Sequence, residues 1–446
     1  MTITAAQAIT GPRILAIALP VVLSNATVPL QGAVDTAIIG NVGSQAALGG
    51  VGVGAAMFSI VFIGFNFLQM GCSGLTAQAL GAGDTRRMLN TLARTLVIAL
   101  AIAVALIALQ MPILTQALRF FEAEGEMAAA AALYFNIRIW GAPFELANYA
   151  VLGWFTGQEM TRRMFQHQLV TTLSNIALSL IFGLWLGYGL PGVAASTVAA
   201  SGIGLAYGLW LARGQRQRLD AAWRPDWARI LKRAELLRVM ALNRDIFIRT
   251  MLLTLSFAWI TRLGAQQGEL VLAANVVLWQ FFAISAYGLD GFAMAAETLV
   301  GQAKGAGDRA AFRRGAILSS LWAGALALVI SLLFYVFRAP IIALLTDLSQ
   351  VRDAAAVYVA WAAFTPIVGF AAYQLDGIFV GATASAAMRN AMILSAIMFF
   401  PLSIWLAGMF GNHGIWAAVY ALFALRAGTL LMAYPGIERR IGESTG

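Results

Sequence analysis

Apolar residues run along this chain in long blocks, broken by short polar or basic interruptions. Blocks near 14–40, 46–80, 89–110, 126–157, 164–187 and 190–212 are followed by a second set near 246–265, 270–303, 312–337, 350–382, 390–409 and 413–434. A bilayer core about 30 Å thick takes roughly 20 apolar residues of helix, and every block reaches that length. The surplus in the longer blocks implies tilt, or helix extending past the lipid. The pattern predicts an all-α integral membrane protein of about twelve transmembrane helices.

The two sets of blocks repeat. Ala77-Gln78-Ala79-Leu80-Gly81-Ala82-Gly83-Asp84 returns 224 residues later as Gly301-Gln302-Ala303-Lys304-Gly305-Ala306-Gly307-Asp308. The same offset pairs Phe58 with Phe282, Gly64 with Gly288, Asn66 with Asp290 and Gly187 with Gly411, and a shift of one pairs Pro143 with Pro366. Six helices per copy is an even number, so both halves enter the membrane in one orientation, as parallel repeats. This divides the chain into two pseudo-symmetric six-helix lobes. Residues 1–222 give helices 1–6 and end in a basic linker, and 223–446 give helices 7–12.

Composition agrees with a membrane protein. Hydrophobic residues make up 60% of the 446 and charged ones 11%, against about 25% charged in soluble proteins. A water-facing surface cannot be assembled from so few charges. The net charge of +9 would point to nucleic acid in a soluble protein, but here the basic residues sit in short loops, where they set topology. One side carries Arg13, Arg86, Arg87, Arg162, Arg163, Lys304, Arg309, Arg313, Arg314, Arg389, Arg439 and Arg440. The other has loops at 41–45 and 187–191 without a basic residue, and elsewhere mixes Arg119, Arg262, Arg338 and Arg352 with acids. By the positive-inside rule both termini are cytoplasmic, in a multi-pass protein of the cell inner membrane. The first block reads as a retained helix, not a signal peptide.

One long hydrophilic stretch separates the halves. It holds Arg213, Arg216, Arg218, Arg224, Arg229, Lys232, Arg233, Arg238 and Arg244. It reads as a topology-fixing linker with an interfacial helix near 227–241, with a lipid-binding patch as the alternative.

Ionisable groups inside apolar blocks are costly, about 2.5–3.5 kcal/mol each at a helix centre. They are therefore the candidates for chemistry. Asp35 lies in the first helix. Pro29 cannot donate to the carbonyl of Asn25 and favours a kink, and Gln31 is one turn before Asp35 on the same face. Together these suggest a small cation or proton site; the structural alternative is a carboxylate capping a neighbouring helix. Asp290 in the eighth helix and Asp376 in the tenth are further candidates. Arg249, one turn after Asp245, is open to a structural or a transport role. Arg138 and Glu145, seven apart on one face of the fourth helix, suggest a structural network. Asn148, Asn175, Ser179 and Thr197 add neutral oxygens on helices four to six. Met57, Phe58, Phe62, Asn66, Phe281, Phe282 and Met294 are candidates to line a cavity for varied apolar ligands, with ordinary packing as the alternative at each.

Enzyme signatures are missing. His167 and His413 are far apart and near helix ends, so no metal or cofactor is expected. Cys72, the single cysteine, reads as a small buried apolar residue. Gly49-Gly50-Val51-Gly52-Val53-Gly54 lies within an apolar helix, where close packing explains it better than phosphate binding.

Several stretches together identify a resemblance. Val34-Asp35-Thr36-Ala37-Ile38-Ile39-Gly40 and the repeated Gly-Ala-Gly-Asp ends resemble the multidrug and toxic compound extrusion (MATE) family. Its DNA-damage-inducible F (DinF) subfamily is resembled by Ile137-Arg138-Ile139-Trp140-Gly141-Ala142-Pro143, Leu242-Asn243-Arg244-Asp245-Ile246, Tyr287-Gly288-Leu289-Asp290-Gly291-Phe292-Ala293 and Leu375-Asp376-Gly377-Ile378-Phe379-Val380-Gly381-Ala382-Thr383. The resemblance implies a V-shaped pair of lobes that exports organic, often cationic, compounds against inward protons or sodium ions. It places Asp35 at the coupling aspartate of the first helix and Asp376 at a further aspartate of the tenth. Two departures tilt the reading toward protons. Arg249 stands where some sodium-coupled relatives carry a glutamate, and Ser179 where others carry an aspartate four residues after the asparagine that matches Asn175.

The expected activity is therefore antiport of small organic, cationic or amphipathic compounds against protons by alternating access, with sodium as the alternative cation. The expected protein is monomeric in the lipid bilayer and has no nucleic-acid partner. A lipid-linked precursor flippase is the near rival, disfavoured by the few intramembrane basic residues. An intramembrane enzyme would need a nucleophile–base or metal constellation, and a channel would be expected to assemble from symmetric subunits.

Overall fold

The computed structural model describes residues 8–42, 45–220 and 222–442. The loop expected at 41–45 has its centre, Gly43–Ser44, outside them. Among the described residues the chain is helical, and nine stretches are long and apolar enough to cross a membrane. The last, Ser385–Arg439, is interrupted at Gly411 (φ 55, ψ −132). It therefore contains two spans, and with Gly11–Val42 and 125–157 the count is twelve.

In chain order these are α1 Gly11–Val42, α2 45–81, α3 Thr85–Ala108, α4 125–157, α5 Thr161–Trp185 and α6 Gly189–Leu219. They continue as α7 Arg233–Ala265, α8 Glu269–Gly305, α9 Arg309–Val336, α10 Ser349–Gly381, α11 385–410 and α12 412–439. Turns of 3-10 helix interrupt α2 at Gly64–Asn66 and α4 at Ile139–Gly141, and α5 ends in a π turn, Leu180–Trp185. Short helices Gln110–Phe120 and Arg338–Leu345 follow α3 and α9 respectively, so each half places one after its third span.

The repeat has a direct physical imprint. The chain turns at Gly83 and at Gly307 with the same φ of +69, a value that favours glycine. The next residue caps the following helix each time. Asp84 accepts from the Arg87 N–H at 2.8 Å and Asp308 from the Ala311 N–H at 2.8 Å, which satisfies a first-turn donor. Helix contacts repeat as well. A Cβ on Gly153 would meet the Gln69 carbonyl oxygen at 2.3 Å, and one on Gly157 the Ser73 oxygen at 2.5 Å. In the other half Gly377 faces the Ala293 oxygen and Gly381 the Glu297 oxygen, both at 2.1 Å. All four glycine–carbonyl partners are displaced by the same 224 residues. Small residues let backbones approach in lipid, where dispersion rather than water exclusion holds helices together.

Packing groups the chain into two compact units. The N-terminal unit comprises Leu23–Leu80 and Asp84–Met240, and the C-terminal unit comprises the residues up to Val22, Gly81–Gly83 and those from Ala241 onward. This grouping differs at both ends from a division at residue 222. Ile14, Ile17 and Ala18 at the start of α1 are buried against Phe292, Ala295, Leu299 and Ala323, so they count with the second half. The linker counts with the first half because Arg94 of α3 binds it. The Arg94 Nε donates to the Ile230 carbonyl at 3.1 Å and Nη2 to the Arg229 carbonyl at 3.2 Å. The expected interfacial helix at 227–241 resolves into one turn, Trp227–Ile230, and the start of α7 at Arg233. No breaker separates 233 from the apolar run beyond it, so the two form one helix.

Candidate functional site

Within the N-terminal unit, α1 passes close to the end of α5. Gly183 in the π turn has no side chain, and a Cβ there would meet Ile38 Cγ2 at 2.9 Å. Asp35 and Ser179 stand one turn before these two residues, so the same approach brings them together. The Ser179 hydroxyl donates to Asp35 Oδ1 at 2.7 Å. Ser179 and Ser196 of α6 share a hydrogen bond of 2.6 Å, and the Ser196 hydroxyl reaches the Val193 carbonyl at 2.7 Å. Asp35 is 9% exposed and both serines are fully buried.

Proton counting shows what this chain of oxygens can do. With Asp35 ionised, Ser196 donates to Ser179 and Ser179 to the carboxylate. With Asp35 protonated, the two bonds along the chain reverse: the carboxyl donates to Ser179 and Ser179 to Ser196, which frees the Ser196 proton for the Val193 carbonyl. Hydroxyls are both donor and acceptor and rotate to suit. The Val193 oxygen also accepts from the Thr197 hydroxyl at 3.2 Å, so it is not orphaned when Ser196 turns away. Both protonation states are thus satisfied in one geometry.

Asn175 and Thr197 lie beside this chain. The Asn175 amide donates to the Thr197 hydroxyl at 3.0 Å, while its carbonyl oxygen is buried with no partner among the described residues. Gln31 is half-buried one turn before Asp35. The first helix stays helical across Pro29, and Asn25 is not free in the structure. Asn148 is held elsewhere: its amide donates to the Ser201 carbonyl at 2.9 Å and its oxygen contacts His167 Nε2 at 2.9 Å. An amide oxygen only accepts, so that imidazole nitrogen carries the proton. This arrangement ties α4, α5 and α6 together. Arg138 pairs with Glu145 at 2.7 Å and lies 4.7 Å from the centre of the Phe58 ring. Phe58 stacks on Phe62 at 5.5 Å and lies tilted against Phe135 at 5.2 Å. Met57, Phe58 and Phe62 are buried, whereas Asn66, at the 3-10 turn of α2, is exposed.

The C-terminal unit has a different centre. Asp376 Oδ2 accepts from Arg249 Nη2 and from Arg426 Nη2, the latter at 2.5 Å. Arg249, Asp376 and Arg426 line a small cavity with Met388, Met392 and Leu430. Asp290 is half-buried within the field of both arginines. Asp245, the sequence neighbour of Arg249, instead pairs with Arg389 at 2.7 Å and with Arg244 at 3.0 Å. A transported cation at Asp376 would have to displace two guanidiniums. Phe281, 1% exposed, packs on Phe334 at 5.0 Å. Phe282 faces Phe257, Trp279 and Phe423, and Met294 is half-buried.

Sequence reasoning left out Ser196 and Arg426. Ser196 carries no signal, since a serine on a membrane helix is commonplace. Arg426 did carry one, as a basic residue among apolar neighbours. Like Arg94, Arg138 and Arg249, it is an arginine buried or half-buried within a span.

A twelve-span, duplicated helical fold with a buried carboxylate on a hydroxyl chain describes a membrane transporter, and the relatives agree. A family model described as MatE matches the chain twice, over residues 20–181 and 246–407. The chain belongs to the MATE family of multidrug efflux transporters. It is 38% identical to DNA damage-inducible protein F of Escherichia coli (strain K12), over 92% of this chain and 89% of that one. A probable multidrug resistance protein NorM of Bradyrhizobium diazoefficiens is 26% identical, over 96% and 93% of the two chains. A crystal structure of MATE in the bent conformation superposes with a TM-score of 0.85 at 17% identity, covering 97% of each chain; that likeness concerns the fold.

Proposed function

We propose that this protein is an antiporter that exports small organic, cationic or amphipathic compounds in exchange for protons, by alternating access, with Asp35 as the proton-binding group. The observation that carries the reading is the chain Asp35–Ser179–Ser196, in which the carboxyl group has a hydroxyl partner with or without its proton. Relatives named as multidrug resistance proteins support the substrate class. Loop charges support cytoplasmic termini in an inner-membrane protein. The protein acts as a monomer and takes no nucleic acid. A proton on Asp35 removes its charge and changes which conformation is favoured, and a ligand drives a transition only through such a difference in affinity.

The test is Asp35→Asn, which keeps shape and removes titration. In proteoliposomes, export driven by a pH gradient falls to background while the protein still folds and binds substrate. Driven export near the wild-type rate would refute the assignment. A second reading, sodium coupling, is favoured by one observation: the Asn175 carbonyl oxygen is buried beside this network and has no partner among the described residues. Exchange of sodium for potassium at constant pH separates the two, since proton coupling leaves the rate unchanged.

A further inference from the structure

We infer that the linker segment 224–240 is a docking face for the headgroups of anionic phospholipids. The segment follows α6, which ends at Leu219, and runs into the first turns of α7, which begins at Arg233. Both are membrane spans, so the segment lies at the bilayer surface. It is held there firmly. Arg94 of α3, 7% exposed, binds the carbonyls of Arg229 and Ile230 and pairs with Glu235 at 3.5 Å. Ile230 is fully buried. Asp226 caps the short helix and pairs with Arg229 at 3.2 Å.

Both acids of the segment are therefore already neutralised, by Arg229 and by Arg94. Arg224, Lys232, Arg233 and Arg238 remain exposed and make no ion pair among the described residues. Interleaved with them are Trp227, Leu231, Leu237 and Met240, each 46–56% exposed. Water would leave these apolar groups uncovered and the four cations uncompensated. A free phosphate ion would answer the cations alone. A phospholipid answers both, since its headgroup meets Lys and Arg and its upper acyl chains meet Trp and Leu. Basic segments next to membrane spans attract anionic lipid in this way.

The test uses full-length protein in phosphatidylcholine vesicles containing traces of spin-labelled phosphatidylglycerol or spin-labelled phosphatidylcholine. The immobilised fraction of each label is measured by electron spin resonance. Phosphatidylglycerol is expected to be several-fold preferred at low ionic strength. The preference should collapse in about 0.5 M sodium chloride, where the screening length is only a few ångströms. It should fall to near unity when Arg224, Lys232, Arg233 and Arg238 are all replaced by Gln. The salt titration on unaltered protein stands even if that variant misfolds. Equal immobilisation of both lipids, or a preference that survives salt, would overturn the inference. So would displacement of the lipid by inorganic phosphate beyond that by chloride at equal ionic strength, which would indicate a free-anion site.

Discussion

Asp35 on α1 and Trp259 on α7 hold the same place in the two copies of the repeat, and so do Ser179 on α5 and Ser403 on α11. One hydrogen bond recurs between them. Ser179 donates to Asp35 at 2.7 Å, and the Trp259 indole donates to Ser403 at 3.0 Å. The second half therefore makes the same helix-to-helix joint with a group that does not titrate. A carboxylate is not needed to hold these helices together. On the proposed function, its presence in the first half, despite the cost of a charge in an apolar span, serves cation or proton binding, a task that an indole cannot perform. The acid of the second half behaves differently again. Asp376 is fixed by two arginines, and the repeat-mates of Arg249, Asp376 and Arg426 are Asn25, Leu152 and Gly202, so the first half has no counterpart to that ion cluster.

The largest expected contrast is in transport. Asp35→Asn abolishes gradient-driven export, whereas Trp259→Phe leaves it within a few-fold of normal, as vesicle assays would read. If both variants lose export equally, the distinction between the halves collapses. Stability should show the reverse order. Asp376→Asn leaves two buried guanidiniums without their anion and costs about 3–5 kcal/mol, seen as a large fall in Tm; Asp35→Asn leaves Tm unchanged or slightly raised.

The scaffold, by contrast, should respond evenly. Gly153→Ala and Gly377→Ala each force a methyl against a carbonyl oxygen, and each is expected to cost about 1–3 kcal/mol. Thermal unfolding that penalises only one of them would mean that the duplicated contact does not matter equally in both halves. The smallest effects concern the serines. Ser403→Ala leaves the Trp259 N–H without its acceptor and costs about 1 kcal/mol, with the pH dependence of export unaltered. Ser179→Ala has a similar cost but moves the pH midpoint of export, because a bond to the titrating group is gone.

What was legible in the sequence follows from physical range. Twelve spans could be read because lipid demands long apolar runs, and the repeat because Gly83-Asp84 and Gly307-Asp308 solve one local turn twice. Asp35 stood out because a carboxylate in an apolar helix is rare. Ser179 could be named as a neutral oxygen but not as the partner of Asp35, 144 positions away, and nothing local marks Ser196. Sequence spacing could not name the partner of Arg249: Asp245 lies one turn back, yet the guanidinium binds Asp376, 127 positions on. The linker was read as one interfacial helix because its basic and apolar residues alternate suitably; the tertiary hold of Arg94 on Ile230 decides where its first turn stops.

The break at Gly411 bears on how the protein is made. The spans α11 and α12 meet at a single non-helical residue, so no loop exists that could be threaded across while one span waits for the other. They must enter the bilayer as one hairpin. That matters for α12, which carries Arg426 among apolar neighbours and would partition poorly alone. Joined to the wholly uncharged stretch 390–410, it is drawn in with a partner hydrophobic enough for both. Lengthening the joint with a flexible polar insert would uncouple the two insertions and leave α12 to fail during biogenesis, before any question of transport arises.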